Sequence, residues 1–113
     1  PDPFFMVGGA VNAAFLNFTK ALSKRGLIDG VNVNSINPGM TSTDRLITII
    51  QNNAKREGIS FDDAKEKALK NIGLNRFSTP EEVAELTFFL CSPKVRHLTG
   101  TEINLDGGKK PTI

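Results

Sequence analysis

The sequence predicts an α/β fold in which this chain forms one part of a doubly wound parallel sheet. The first observation is the order of the predicted elements, which is helix, strand, three helices and strand. The second is that strands joined by a helical crossover normally run parallel. The third is that two strands are too few to stand as an independent sheet. We therefore expect the 113 residues to be the second half of a larger domain, whose remainder has been removed or is supplied by another chain.

The first predicted helix spans Ala10–Ser23 and follows a Pro- and Gly-rich stretch, residues 1–9, that predicts a loop. Apolar residues recur in this helix at intervals of three and four, which is typical of a helix with one buried face. Gly26 and Gly30 then predict its end. The residues expected on the buried face are Val11, Ala14, Phe15, Phe18, Ala21 and Leu22.

Two short segments are predicted to be strands. Val31–Ile36 alternates apolar and polar residues, and Pro38 predicts its end because proline cannot donate a hydrogen bond to the ladder. Thr101–Leu105 is the second strand, and Gly107-Gly108 follows it. The crossover between them predicts that the two strands are parallel neighbours.

Two amphipathic helices are predicted after the first strand. One runs over about Asp44–Arg56 and stops at Gly58. The other begins at Ser60, whose hydroxyl can cap the helix while Asp63 reaches back, and it runs to about Asn71.

The segment "TPEEVAELTFFLCS" is the clearest helix signal. Thr79 is the predicted cap, Pro80 suits the first helical position, and Glu82 completes a capping box.

Composition excludes several classes of protein. Apolar residues make up 39% and charged residues 23%, and the net charge is +2. Basic residues are spread among acids, apart from a cluster in the tail at Lys109-Lys110, so nucleic-acid binding is not expected. No apolar run approaches the roughly 20 residues that span a bilayer, so no membrane contact is expected. The single Cys91 excludes an intrachain disulfide and fits a reducing, cytoplasmic compartment. The missing initiator Met predicts a fragment or a processed piece.

Several reactive side chains have ordinary structural interpretations. His97 has no second ligand nearby in sequence, so no metal site is expected. Cys91 follows an apolar run and is expected to be a buried small hydrophobe. The acids Asp62, Asp63 and Glu66 are expected to be solvated charges. The phenylalanines that are expected to pack in a core or an interface are Phe15, Phe18, Phe88 and Phe89.

Four stretches, in this order and spacing, resemble the C-terminal half of short-chain dehydrogenases/reductases. The resemblance covers nearly the whole chain and implies a Rossmann-type sheet of which this chain supplies the last two strands. It also implies NAD or NADP as cofactor, a small carbonyl or alcohol substrate, and a homo-oligomer or pairing with the missing N-terminal half. The family's glycine-rich phosphate turn and its catalytic Ser would lie upstream. The stretches are "NAAFLNFTKALS", "VNVNSINPGMTSTD", "RFSTPEEVAELTFFLCSP" and "LTGTEINLDGG".

The resemblance implies a Y-x-x-x-K motif at the start of the first helix, but this chain lacks it. Alignment on "FTKAL" places Gly8 at the Tyr position and Asn12 at the Lys position, and a shift of three residues places Phe5 at the Tyr position. None of these residues can act as a hydroxyl acid or as the cation that lowers its pKa. The chain contains no Tyr, so we expect no catalytic residue in it.

The resemblance still implies cofactor-binding residues. The loop "PGMTST" follows the first strand at its carboxyl end, where open α/β sheets bind ligands. Family members pair the nicotinamide carboxamide with the backbone at the position of Thr41. A threonine side chain at the position of Thr43 bonds the carboxamide or the pyrophosphate. The alternative for Thr43 is that it only caps the following helix. The predicted cofactor-binding residues are Pro38, Gly39, Thr41, Thr43 and Asn12.

Residues 44–74 correspond to an insertion that forms a substrate lid in the family. Its apolar members either line a substrate pocket or pack the two helices together. They are Leu46, Ile47, Ile50 and Ile59.

Three functions remain open. The first is that the chain is a piece of an NAD(P)-dependent reductase or dehydrogenase. The second, motivated by the missing Tyr and Lys, is a nonenzymatic relative that binds a nucleotide or a partner. The third, motivated by the absent Met and the incomplete sheet, is an assembly or truncation product without activity.

Overall fold

A computed structural model describes residue 3 and residues 5–109 of the chain. Within them lie four α-helices, one short 3₁₀ helix and two strands. In chain order these are α1 Met6–Asp29, β1 Ser35–Pro38, α2 Asp44–Glu57, α3 Phe61–Ile72, α4 Pro80–Leu90, the 3₁₀ helix Pro93–Val95 and β2 Glu102–Leu105.

The strands β1 and β2 are hydrogen-bonded neighbours, as predicted. The backbone N–H of Ser35 donates to the Thr101 carbonyl at 3.0 Å, and that of Gly39 donates to the Leu105 carbonyl at 3.0 Å. Because both partners advance by four residues between these two bonds, the strands run parallel. The α/β fold class is therefore confirmed.

The first strand begins later than its alternating pattern predicts. The predicted span was Val31–Ile36, whereas β1 starts at Ser35 and ends at Pro38. The residues before Ser35 form other hydrogen bonds: the N–H of Val31 donates to the Gly26 carbonyl at 2.9 Å, and the N–H of Val33 donates to the Thr99 hydroxyl at 3.0 Å. These bonds occupy donors that a strand ladder would need.

The chain divides into two compact units. The first unit comprises Pro1–Ile36 with Phe88–Ile103, and the second comprises Asn37–Thr87 with Asn104–Ile113.

Helix α1 of the first unit is longer than predicted. Residues 6–9 belong to it, so the predicted loop is wrong there, and residues 1, 2 and 4 lie outside the described part. Gly26 does not end the helix. A Cβ at Gly26 would lie 2.5 Å from the Val31 carbonyl oxygen, so glycine serves a close backbone approach there. Helix α1 ends at Gly30, whose φ of 69° is left-handed.

The buried face of α1 is not the predicted one. The buried residues of the helix are Thr19, Ser23 and Gly26, which are small or polar. The predicted buried stripe is exposed instead: Val11 is 61%, Phe15 is 62% and Phe18 is 58% accessible. Ala14, Ala21 and Leu22 are exposed as well. Helix α1 therefore presents its small-residue face to its own unit and leaves its large apolar side chains uncovered.

The core of the second unit lies between α2 and α3. Leu46, Ile50 and Ala54 of α2 are buried together with Ala64 of α3 and with Phe77. The packing interpretation of the 44–74 segment therefore holds for Leu46 and Ile50. The other two apolar residues considered for a substrate pocket are exposed, Ile47 and Ile59.

The ends of α2 and α3 follow their local signals closely. Helix α2 ends at Gly58 with a φ of 66°. The Ser60 hydroxyl accepts a hydrogen bond from the Asp63 N–H at 3.0 Å, which caps α3 as predicted. Lys67 of α3 pairs with Glu57 of α2 at 2.6 Å, and this bond lowers the pKa of the Glu57 carboxyl.

The capping box of α4 is confirmed. The Thr79 hydroxyl accepts from the Glu82 N–H at 3.3 Å, and the Glu82 carboxylate accepts from the Thr79 N–H at 2.8 Å. Pro80 is the first residue of α4, where its missing N–H costs nothing.

Side chains near the end of α4 are more exposed than predicted. Cys91 is exposed, so the prediction of a buried small hydrophobe is wrong. Phe88 and Phe89 are exposed too, because no described side chain of this chain covers that side of the helix. His97 is exposed, and no cluster of potential metal ligands occurs among the described residues. No described helix is long and apolar enough to cross a membrane.

Candidate functional site

The loop after β1 is the candidate cofactor loop, residues 38–43. It leaves the carboxyl end of β1, where its Gly39 N–H bonds the Leu105 carbonyl at the carboxyl end of β2. The ends of parallel strands are where α/β sheets bind ligands. Four predicted cofactor residues thus lie together in the second unit: Pro38, Gly39, Thr41 and Thr43.

Gly39 lies where the two strand ends come very close. A Cβ at this position would sit 3.0 Å from the Asp106 Cα and 3.2 Å from its Cβ. Such distances are shorter than ordinary van der Waals contacts, so a larger residue would push the loop away from β2. Glycine at this position therefore serves packing, not an unusual φ.

Thr41 lies at the centre of a short parallel bridge to Ser78. The Ser78 N–H donates to the Met40 carbonyl at 3.1 Å, and the Ser42 N–H donates to the Ser78 carbonyl at 2.8 Å. In a parallel bridge of this kind, the middle residue points its own N–H away from the partner segment. No described residue accepts a hydrogen bond from the Thr41 N–H, so within that part of the chain this donor is available to a ligand.

Thr43 occupies the N-cap position of α2 but does not cap the helix with its side chain. Its hydroxyl instead donates to the Thr41 carbonyl at 3.4 Å and is exposed. The interpretation of Thr43 as a helix cap therefore fails for the hydroxyl. That group belongs to the cofactor loop and keeps acceptor capacity toward solvent.

A cavity of about 250 Å³ opens beside the loop and is lined by Gly39, Met40, Arg76 and Gly107, among others. Arg76 is not free to bind an anion there. Its guanidinium forms a two-pronged pair with Glu82, at 2.7 and 2.9 Å, and donates to the Phe77 carbonyl at 3.1 Å. The bond from Arg76 and then the bond from the Thr79 N–H lower the pKa of Glu82 to about 2.

The Glu82 cluster predicts a pH-dependent stability. Because the pKa falls from 4.5 to about 2 on folding, the charged carboxylate stabilises the fold above about pH 4.5, and this contribution disappears as pH falls toward 2. We expect Glu82→Gln to lower the denaturation midpoint at pH 7 and to have a shrinking effect below pH 4.5. Urea titrations of both proteins between pH 2 and 7 measure this, with Glu81→Gln as the control. A Glu82→Gln effect that is constant over the whole range would contradict it.

The predicted residues on α1 lie in the first unit. Asn12 is exposed on the helix surface, and Gly8 lies one turn before it. The Phe5 ring overlaps the position that a Cβ at Gly8 would occupy. Both candidate Tyr positions are thus adjacent at the start of α1, and neither carries a hydroxyl.

Comparison with known proteins identifies the family. The family model described as Enoyl-(Acyl carrier protein) reductase matches residues 3–110. The chain belongs to the short-chain dehydrogenase/reductase family. The resemblance in the four sequence stretches is therefore confirmed.

Among family members, the NADPH-dependent reductase BacG of Bacillus subtilis strain 168 is 33% identical over 113 residues, which is 100% of this chain and 44% of BacG. The crystal structure of YwfH, an NADPH-dependent reductase involved in bacilysin biosynthesis, matches with a TM-score of 0.89 at 31% identity, over 100% of this chain and 43% of that one. The crystal structure of a short chain dehydrogenase family protein from Francisella tularensis matches with a TM-score of 0.83 at 38% identity. The match covers 88% of this chain and 41% of that one. This chain spans less than half the length of each.

Sequence reasoning missed Ser78. It lies in "RFSTPEE", between the core residue Phe77 and the cap Thr79, and no spacing or composition separates it from other serines. Only its pairing with the loop, 37 residues away from Thr41, reveals it.

Proposed function

We propose that the whole protein is an NAD(P)-dependent oxidoreductase of the short-chain dehydrogenase/reductase type that acts on a small carbonyl or alcohol. In this proposal the present chain supplies the loop for the nicotinamide end of the cofactor and the helices on the substrate side. The upstream part would supply the phosphate-binding turn. The similarity to BacG, an NADPH-dependent reductase, supports the cofactor class.

The Thr41 N–H, which has no acceptor among the described residues, is the observation that carries the proposal. It projects from a loop that is fixed by the bridge to Ser78 and that lies at the carboxyl end of β1. A fixed, unpaired donor suits the carboxamide oxygen of a nicotinamide, because preformed donors bind without reorganisation. The exposed Thr43 hydroxyl suits a second contact to the carboxamide or the pyrophosphate.

The bound dinucleotide would supply the hydride, and the loop would orient it. Gly39 keeps the loop against β2, and Asn12 would replace the lysine that holds the ribose in the family. An amide can accept and donate hydrogen bonds to ribose hydroxyls, so Asn12 fits binding but not pKa tuning. We further propose that the exposed Ile47 and Ile59 of the 44–74 segment face the substrate.

Dinucleotide binding to the whole protein tests the proposal. We expect NADPH or NADH to bind, as titrated by nicotinamide fluorescence, and Gly39→Ala to weaken binding about 10-fold because the loop must shift. Gly9→Ala is the matched control, since a Cβ there meets nothing within 4 Å. Absence of binding by either dinucleotide to the unmodified protein would refute the proposal.

A second candidate function is a nonenzymatic relative that binds a nucleotide or a protein partner. The observation in its favour is that this chain contains no tyrosine and carries Gly8 and Asn12 at the motif positions. Tight dinucleotide binding without turnover on any ketone would favour it over an enzyme.

The assembly and location follow as further proposals. We propose a homo-oligomer or pairing with the N-terminal half, because α1 exposes its large apolar side chains. The single thiol, Cys91, is consistent with a cytoplasmic protein.

A further inference from the structure

The cofactor loop is joined to the segment before α4 at one residue, Ser78. Its backbone accepts from the Ser42 N–H at 2.8 Å and donates to the Met40 carbonyl at 3.1 Å. These two bonds flank Thr41 on either side. Ser78 thus holds the backbone at both neighbours of the proposed nicotinamide contact.

The Ser78 hydroxyl adds a second connection to the same place. It donates to the Met40 carbonyl at 3.2 Å and lies 3.0 Å from the Thr41 hydroxyl. The Thr41 hydroxyl has the Gly39 carbonyl as a further acceptor, at 3.4 Å, so either hydroxyl can be the donor in the Ser78–Thr41 bond. In either arrangement the Ser78 hydroxyl contacts the Thr41 side chain.

The residues before and after Ser78 in the sequence are both held in place. Phe77 is buried in the core of the second unit, and Thr79 belongs to the capping box of α4. Arg76 links the two by donating to the Phe77 carbonyl and pairing with Glu82. The loop is thus hydrogen-bonded to Ser78, which lies between the buried Phe77 and the helix cap Thr79.

We propose that Ser78 is a positioning residue for the nicotinamide end of the cofactor. Its hydroxyl fixes the Thr41 side chain, and this orients the Thr41 N–H toward the ligand. The inference rests on the proposed function, because it assigns the loop to the nicotinamide.

The first test uses the whole protein and compares two ligands for each variant. One is the reduced dinucleotide that binds the unmodified protein, and the other is the same molecule without its nicotinamide, ADP-ribose or 2′-phospho-ADP-ribose. Ser78→Ala is expected to raise the dissociation constant of the dinucleotide about 2- to 10-fold, as for loss of one hydrogen bond, and to leave that of the nicotinamide-free ligand unchanged. Ser78→Thr, which keeps the hydroxyl, is expected to restore binding.

The matched control is Thr87→Ala, which removes a hydroxyl bonded to the Val83 carbonyl at 2.8 Å on α4. It is expected to change neither dissociation constant. Equal weakening of both ligands by Ser78→Ala would reduce Ser78 to a general structural role and overturn the proposal. An unchanged dinucleotide constant, or Ser78→Thr behaving like Ser78→Ala, would overturn it too.

A second measurement separates this inference from the proposed function. Hydrogen exchange without ligand is expected to be faster at the Ser42 and Ser78 amides in Ser78→Ala, and unchanged within α2. If the unmodified protein binds no dinucleotide, the proposed function fails, and faster exchange still supports loop positioning by Ser78. Unchanged exchange at both amides would overturn the positioning itself.

Discussion

A whole protein carrying Gly8→Tyr, Asn12→Lys and Phe5→Ala is expected to reduce carbonyl substrates about 10²- to 10⁴-fold faster than the same protein with Phe5→Ala alone. The new tyrosine would supply a hydroxyl acid, and the new lysine would lower its pKa. Phe5→Ala is included because the Phe5 ring overlaps the position of a Cβ at Gly8. Steady-state turnover on a panel of ketones measures the effect.

The control for this prediction is a variant that carries an aromatic ring at position 8 but no hydroxyl. Gly8→Phe in the Phe5→Ala background, with Asn12 kept, places a ring without a hydroxyl at position 8, so its turnover should not rise above the level of the background. Robust turnover by the unmodified protein would mean that another acid replaces the tyrosine. The isolated 113-residue chain should give no turnover in either form, since the phosphate-binding turn is absent from it.

The isolated chain is expected to self-associate, and Phe15→Lys with Phe18→Lys is expected to abolish most of this association. Both side chains are more than half exposed on α1, and burial of such rings drives association. Light scattering over a range of concentrations measures it. Phe61→Lys is the control, because that ring is 37% exposed on α3 and lies outside the stripe. A stable monomer of the unmodified chain would contradict the prediction.

The helices whose ends depend on neighbouring residues could be predicted from the sequence. Ser60 and Thr79 cap α3 and α4 through residues three positions later, so the signal and its partner fall in one short stretch. Gly58 and Gly73 end α2 and α3 because a left-handed residue is needed immediately after each helix. Local chemistry decides these boundaries, and a short stretch of sequence contains it.

The boundaries and faces that depend on distant residues could not be predicted. The sequence predicts that Gly26 ends the helix, whereas in the structure Gly26 lies within α1 and allows the Val31 carbonyl to approach it closely. The start of β1 depends on where Thr101 meets Ser35, which alternation alone does not fix. The apolar stripe of α1 was recognised as a stripe, but which face packs within this chain depends on what else is present to cover it.

In the candidate site too, residues in a local motif could be predicted from the sequence, whereas a residue that acts through a distant contact could not. Thr41 and Thr43 follow a recognisable Pro-Gly turn after a strand, so the family resemblance predicts their role from the sequence. Ser78 acts on Thr41 across 37 residues of sequence, and its role is visible only in the bridge. The prediction of their cofactor contacts stays a prediction until binding is measured.

The close approach at Gly39 has a consequence for genetics. The atoms nearest to a new Cβ there include the Cα of Asp106, at 3.0 Å, and its carbonyl oxygen, at 3.5 Å. Every amino acid has these two atoms, so a replacement at position 106 can remove only the contact with the Asp106 Cβ, at 3.2 Å, and only glycine removes that one. A selection for suppressors of a Gly39→Ala defect should therefore return true revertants or changes that move the strand ends apart, and at codon 106 no compensating allele other than glycine.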